Sequence, residues 1–114
     1  MNKIILYVGL NDKELCKQII ETEKAVDIIT RDMFSCGIDG ATISRARGIW
    51  NGSEPEVTIM LTLCGVDIKK VYTLCELLKV DINQACIMVE EYNEVNIKFI
   101  YGHKALFFMQ YRFT

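Results

Sequence analysis

A chain of 114 residues has the length of one ordinary domain, and 51 % hydrophobic residues, 25 % charged residues and a single proline describe a folded globule, not a disordered tail. Thirteen basic against fifteen acidic side chains give a formal net charge of −2. That balance disfavours DNA or RNA as a partner, because release of counterions by a basic surplus supplies most of the affinity for nucleic acid.

Five cysteines (Cys16, Cys36, Cys64, Cys75 and Cys86) are odd in number and include no C-x-x-C pair. They read as free thiols used as small apolar residues in a reducing cytoplasm, and neither a disulfide framework nor a metal or other cofactor is expected. Met1-Asn2-Lys3 and the apolar run after it lack a small-residue cleavage site, and no stretch approaches the ~20 apolar residues of a membrane helix. The expectation is a soluble cytoplasmic protein with no membrane partner.

In chain order, Lys3 to Leu10 are β-branched and aromatic, a buried strand. Asn11 with Glu14 resembles a capping box. Leu15, Ile19, Thr22, Val26, Ile29 and Met33 then recur at spacings of four and three, which predicts one long amphipathic helix closed by Gly37. After the Asp39-Gly40 turn, Ala41 to Trp50 reads as a strand, Asn51 to Pro55 as a hairpin loop, and Val57 to Cys64 as the returning strand. In that strand Val57, Ile59, Leu61 and Leu63 take one face, and Thr58, Met60, Thr62 and Cys64 the other.

Asp67 caps a second helix with Ile68, Val71, Cys75 and Leu78 on its buried stripe, and Asn83-Gln84 ends it. Ala85 to Tyr92 predicts a fourth strand, Val95 to Tyr101 a fifth and Ala105 to Phe113 a sixth. The order strand, helix, strand, strand, helix, strand is the split βαβ arrangement of an α+β, ferredoxin-like domain, with residues 1–100 as the core and 101–114 as a C-terminal strand extension. Both helices cover one sheet face. Met60, Cys64, Met88 and Trp50 fall on the other, so homo-oligomerisation through that face or through the last strand is expected.

A resemblance accompanies this pattern. Leu6-Tyr7-Val8-Gly9-Leu10, then Asp39-Gly40-Ala41-Thr42 and Ala46-Arg47-Gly48-Ile49-Trp50, look like the L-Y-x-G-L and D-G-x-T-x-x-x-A-R-G-x-W motifs of an uncharacterised family of small bacterial and phage proteins, over roughly residues 3 to 100. The resemblance implies a ferredoxin-like fold with a layout similar to PII-type signalling proteins and no established activity. Its phage occurrence suggests a counter-defence protein that sequesters a host nucleotide signal.

Arg45 and Arg47, two apart on a strand, point to the same side, and paired guanidinium forks suit phosphate or carboxylate recognition. Solvation, or pairing with Glu54, Glu56 or Asp39, is the plainer alternative. Trp50 offers a stacking surface or simply packs at the hairpin mouth. Tyr111 and Arg112 are further contacts if the tail meets a neighbouring copy. His103 sits in a Gly-His-Lys turn with no nucleophile beside it, and Glu90, Glu91 and Glu94 read as a solvated acidic turn.

From these residues the expected function is a non-enzymatic homo-oligomer that binds a small anionic ligand such as a nucleotide through Arg45, Arg47 and Trp50. The alternatives are a module that inhibits a host enzyme by protein contact, and a small cofactor-independent enzyme using Tyr7 or His103 in a closed cavity between sheet and helices.

Overall fold

The computed structural model describes residues 1–52 and 54–102. Its elements are β1 (Lys3–Gly9), α1 (Thr22–Ser35), β2 (Thr42–Gly48), β3 (Glu56–Cys64), α2 (Ile68–Asp81) and β4 (Met88–Tyr92). The sheet runs β2-β3-β1-β4 with every neighbouring pair antiparallel. This is the ferredoxin-like α+β architecture expected from the order of elements.

Alternation along the central strands builds the core. Ile4, Leu6 and Val8 of β1 and Ile59, Leu61 and Leu63 of β3 are essentially fully buried. They belong to one cluster with Ala25, Ile29 and Met33 of α1 and Val71, Leu74 and Leu78 of α2. Each large aliphatic side chain removed from water there contributes about 1.5–3 kcal/mol before chain entropy is subtracted. The opposite face, carrying Lys3, Ile5, Tyr7 and Gly9 of β1 and Thr58, Met60, Thr62 and Cys64 of β3, has no helix over it among the described residues.

The long first helix is corrected. Residues 11–20 form a separate loop, and α1 begins only at Thr22. The Asp12 carboxylate accepts from the backbone N–H groups of Glu14 and Leu15, both at 3.0 Å. Cys16 then takes a left-handed φ of 56°, and the Asp12 N–H donates to the Lys17 carbonyl at 2.8 Å, turning the chain back. Leu15 and Ile19, which continue the helical period in sequence, are exposed.

Both helices end in one motif. At Gly37 (φ +77°) the Ile38 N–H reaches the Met33 carbonyl, and at Asn83 (φ 54°) the Gln84 N–H reaches the Lys79 carbonyl at 2.9 Å. The predicted fifth strand is also corrected: residues 95–101 pair with no strand among the described residues, and the Val95 N–H donates to the Met1 carbonyl instead. The predicted sixth strand and His103 lie outside the described residues. No helix among those described is long and apolar enough to cross a membrane.

Candidate functional site

The open sheet face is not uniform. Its central row is large in three of its four strands, with Met88, Tyr7 and Met60 side by side across β4, β1 and β3 and Ser44 at the β2 edge. The next row is small: Gly9, Thr58 and Ala46. Beyond it, Glu56 stands opposite Gly48. Two groups fold into the space these small residues leave.

The Glu56 carboxylate lies over Gly9, where a β-carbon would stand 2.5 Å from Oε1, and its Oε2 accepts from the Asn11 backbone N–H at 2.8 Å. The Trp50 indole bends back over Gly48, its Nε1 3.1 Å from the corresponding β-carbon position. A β-carbon at Gly9 would push aside the end of the Glu56 side chain, and one at Gly48 would stand 2.7 Å from the Thr58 hydroxyl, which favours glycine at both. Thr58 beneath is 3 % exposed, and its hydroxyl has no hydrogen-bond partner among the described residues.

A cavity of about 350 Å³ opens here, lined by Tyr7, Gly9, Glu56, Trp50, the loop residues Asp12 and Cys16, and the segment Gln84–Cys86 with Met88. This volume falls within the range of small-molecule sites. The walls are mostly apolar, with Glu56 and Asp12 as acids and Lys13 as the one lysine.

The two loops of the wall are tied together. Asn83 Nδ2 donates to Asp12 Oδ1 at 2.6 Å, the Lys13 N–H donates to the Asn83 carbonyl at 3.0 Å, and Gln84 Nε2 donates to the Asn11 carbonyl at 2.6 Å. The hydrogen bond from Asn83, followed by that from the Leu15 N–H, holds the Asp12 carboxyl below the usual carboxylate range.

On the same face Tyr7 donates its hydroxyl to Glu90 Oε1, and Tyr92 donates to Glu90 Oε2 at 2.6 Å. The two phenols lower the Glu90 pKa, and the bond to Glu90 raises that of Tyr7. Tyr7 therefore faces the open side and not a closed space between sheet and helices, so the interior cavity required by the small-enzyme alternative is not where Tyr7 stands. Glu91 points to the helix side, accepting from the Tyr72 hydroxyl at 3.0 Å.

The structure separates the residues singled out in sequence. Trp50 lines the cavity, whereas Arg45 and Arg47 do not. Their register partners, Ile59 and Val57, carry side chains on the helix side, so the arginines project from that same side, away from the cavity. Arg45 pairs there with Glu23 of α1, and both side chains are exposed. Tyr111 and Arg112 lie outside the described residues.

Glu56, Asp12, Gln84, Cys16 and Cys86 are wall residues that sequence reasoning missed as a group. The available signal was Gly9 and Gly48, small residues at the ends of two otherwise well-filled strands. Among the described residues no group of three or more His, Cys, Asp or Glu side chains is placed to hold a metal.

A larger groove of about 500 Å³ at the far end of the sheet includes Asp39, Asp67 and Lys70. Two of its charged groups are engaged: Asp67 caps α2 by accepting from the Lys69 N–H, and Lys70 Nζ turns to the Gly37 carbonyl at 3.4 Å.

No protein-family model matches the chain, and no curated protein matches it in sequence. Solved structures do match its fold. A phage SAM lyase in the apo state superposes with a TM-score of 0.65 at 22 % identity, covering 80 % of this chain and 78 % of that one. A phage SAM lyase in complex with S-methyl-5′-thioadenosine superposes with a TM-score of 0.57 at 25 % identity, covering 80 % and 79 %. The likeness overturns the expectation of a non-enzymatic protein, since both of these structures, matched over about four fifths of the chain, are of an enzyme.

Proposed function

We propose that this protein is an enzyme that cleaves S-adenosylmethionine to S-methyl-5′-thioadenosine in the cavity between Glu56, Trp50 and Gln84. The observation that carries the reading is a mostly apolar cavity with an aromatic plane and a backbone-anchored carboxylate, on a fold shared with an enzyme of this activity. An anionic nucleotide fits it less well, because Asp12 and Glu56 outnumber Lys13 on the wall.

The chemistry suits such a wall. S-adenosylmethionine carries a sulfonium, an α-ammonium and an α-carboxylate. When the substrate's own carboxylate oxygen bonds to Cγ, the Cγ–S bond breaks and its electron pair goes to sulfur. The products are a lactone and a neutral thioether, and no proton, water or oxidant enters. Opposite charges vanish in this step, so removal of water by apolar groups such as Ala85 and Met88 lowers its barrier.

Glu56 serves groups that keep their character throughout, the ribose hydroxyls or the α-ammonium. Trp50 packs against the adenine. The cavity's position on the open sheet face keeps self-association part of this proposal, with exposed Met88 and Tyr92 available for it.

The test is chromatography of S-adenosylmethionine incubated with the full chain. Methylthioadenosine should accumulate in proportion to protein and fall at least about a hundredfold in Glu56→Gln, on the scale expected for a group that holds the reacting substrate. An unchanged substrate peak with correctly folded protein sinks the proposal.

A further inference from the structure

We infer that Gln84 determines specificity for the base: its Oε1 accepts a hydrogen bond from the exocyclic amine of an adenine held against Trp50. The inference rests on the reading of the cavity as a site for adenosyl thioethers, and it names the residue that distinguishes adenine from other purines.

Gln84 is a polar side chain only 9 % exposed, yet it lines the cavity. Its amide orientation is fixed by chemistry, because both neighbours are acceptors: Nε2 donates to the Asn11 carbonyl at 2.6 Å and to the Ile82 carbonyl at 3.4 Å. A flipped amide would set oxygen against oxygen, so nitrogen faces the backbone and oxygen faces away. Oε1 accepts nothing among the described residues and is not one of the sealed, partnerless buried atoms, so it keeps access to solvent, on a side chain that lines both this cavity and a shallower recess beside Glu76 and Lys79.

The backbone around it is equally determined. The Gln84 N–H closes the α2 cap on Lys79, and Asn83 beside it is clamped to Asp12. A buried acceptor whose donor end is already committed cannot adapt to a different ligand by rotating. It rewards an N–H donor and penalises an acceptor in the same place. Adenine presents an amine at that position of the ring, hypoxanthine a carbonyl, and unsubstituted purine neither. Glu56, being charged, is the better partner for hydroxyl or ammonium groups, which leaves the neutral amide for the neutral amine.

Calorimetric titration of the full chain with methylthioadenosine, methylthioinosine and the 6-unsubstituted purine analogue tests this. The inosine analogue should bind at least about tenfold more weakly than the adenine compound, with the unsubstituted purine between them. In Gln84→Met that preference should shrink to within about threefold. The Gln84 side-chain amide resonances, which need no variant, should shift with methylthioadenosine and stay in place with methylthioinosine. Equal affinity of the wild type for all three compounds overturns the inference, as does an undiminished preference in Gln84→Met or an indifferent Gln84 amide. Failure of all three to bind is a different result, and it removes the proposed function along with the inference.

Discussion

Glu56 occupies the space that any side chain at Gly9 would need, its Oε1 2.5 Å and Cδ 2.7 Å from the missing β-carbon position. The anchored carboxylate is thus a consequence of a glycine on the neighbouring strand. Gly9→Ala should displace the carboxylate, weaken methylthioadenosine binding by at least about tenfold, and lower stability by only about 1 kcal/mol. Gly40→Ala, with nothing within 4 Å, is the control and should change neither. Calorimetry and thermal unfolding of both variants separate the two effects.

Asn83 combines a backbone role with a side-chain role, and substitutions divide them. Its φ of 54° suits glycine or asparagine, while its side chain holds Asp12 at 2.6 Å. Asn83→Gly should keep the α2 cap but lose the clamp, leaving global stability within about 1 kcal/mol and weakening ligand binding. Asn83→Ala loses the clamp and adds backbone strain, and should unfold at lower temperature than the glycine variant. Asn83→Gly binding ligand as the wild type does would contradict the role of the clamp.

A second acid pair affects stability and not the site. Asp32 of α1 is 4 % exposed, with one carboxyl oxygen lacking a hydrogen-bond partner among the described residues, and Arg31 bridges it to Asp81 at 3.3 and 3.2 Å. Burial, followed by the neighbouring Asp81 carboxyl, raises the Asp32 pKa above its ordinary 3.8, against the opposing pull of Arg31. The folded state therefore binds this proton more tightly than the unfolded state. The stabilisation is complete below the ordinary value and is lost as pH rises through the raised one. Asp32→Asn should remove that loss, so its stability relative to wild type rises across the interval. Denaturant unfolding at a series of pH values reads this, and a wild-type curve of the same slope as the variant's would refute it.

The cysteines supply an independent footprint. Cys16 and Cys86 are exposed on the cavity wall, and Cys64 is exposed at the other end of the sheet. Buried Cys75, its thiol pushed up to about 11 by burial, should resist alkylation in the native protein. Methylthioadenosine should slow iodoacetamide labelling of Cys16 and Cys86 several-fold and leave Cys64 unchanged, as read by peptide mass spectrometry. Equal protection at Cys64 would place the ligand elsewhere.

Much of the fold was legible because strand alternation and helix caps are local. The faces of β3, the Asp67 cap and the left-handed Gly37 follow from neighbours in sequence. The start of α1 was not legible, because Leu15 and Ile19 keep the helical period while Asp12 diverts the backbone through hydrogen bonds that periodicity does not encode. The site was least legible of all. Glu56, Gln84 and Asp12 converge from three separate segments, whereas Arg45 and Arg47 stand two apart on one strand yet project from the wrong side of the sheet for this cavity. Of the residues named from sequence as ligand contacts only Trp50 stands on its wall, beside Tyr7, which was named for a different, interior cavity.

Trp50 is the sole tryptophan of the chain, so its fluorescence reports on this cavity alone. Titration with methylthioadenosine should give a saturable change in intensity and wavelength, while adenosine monophosphate, which has the same base but carries negative charge where the thioether stands, should give a far weaker one. An identical response to both ligands, or none to methylthioadenosine at saturating concentration, would contradict the account.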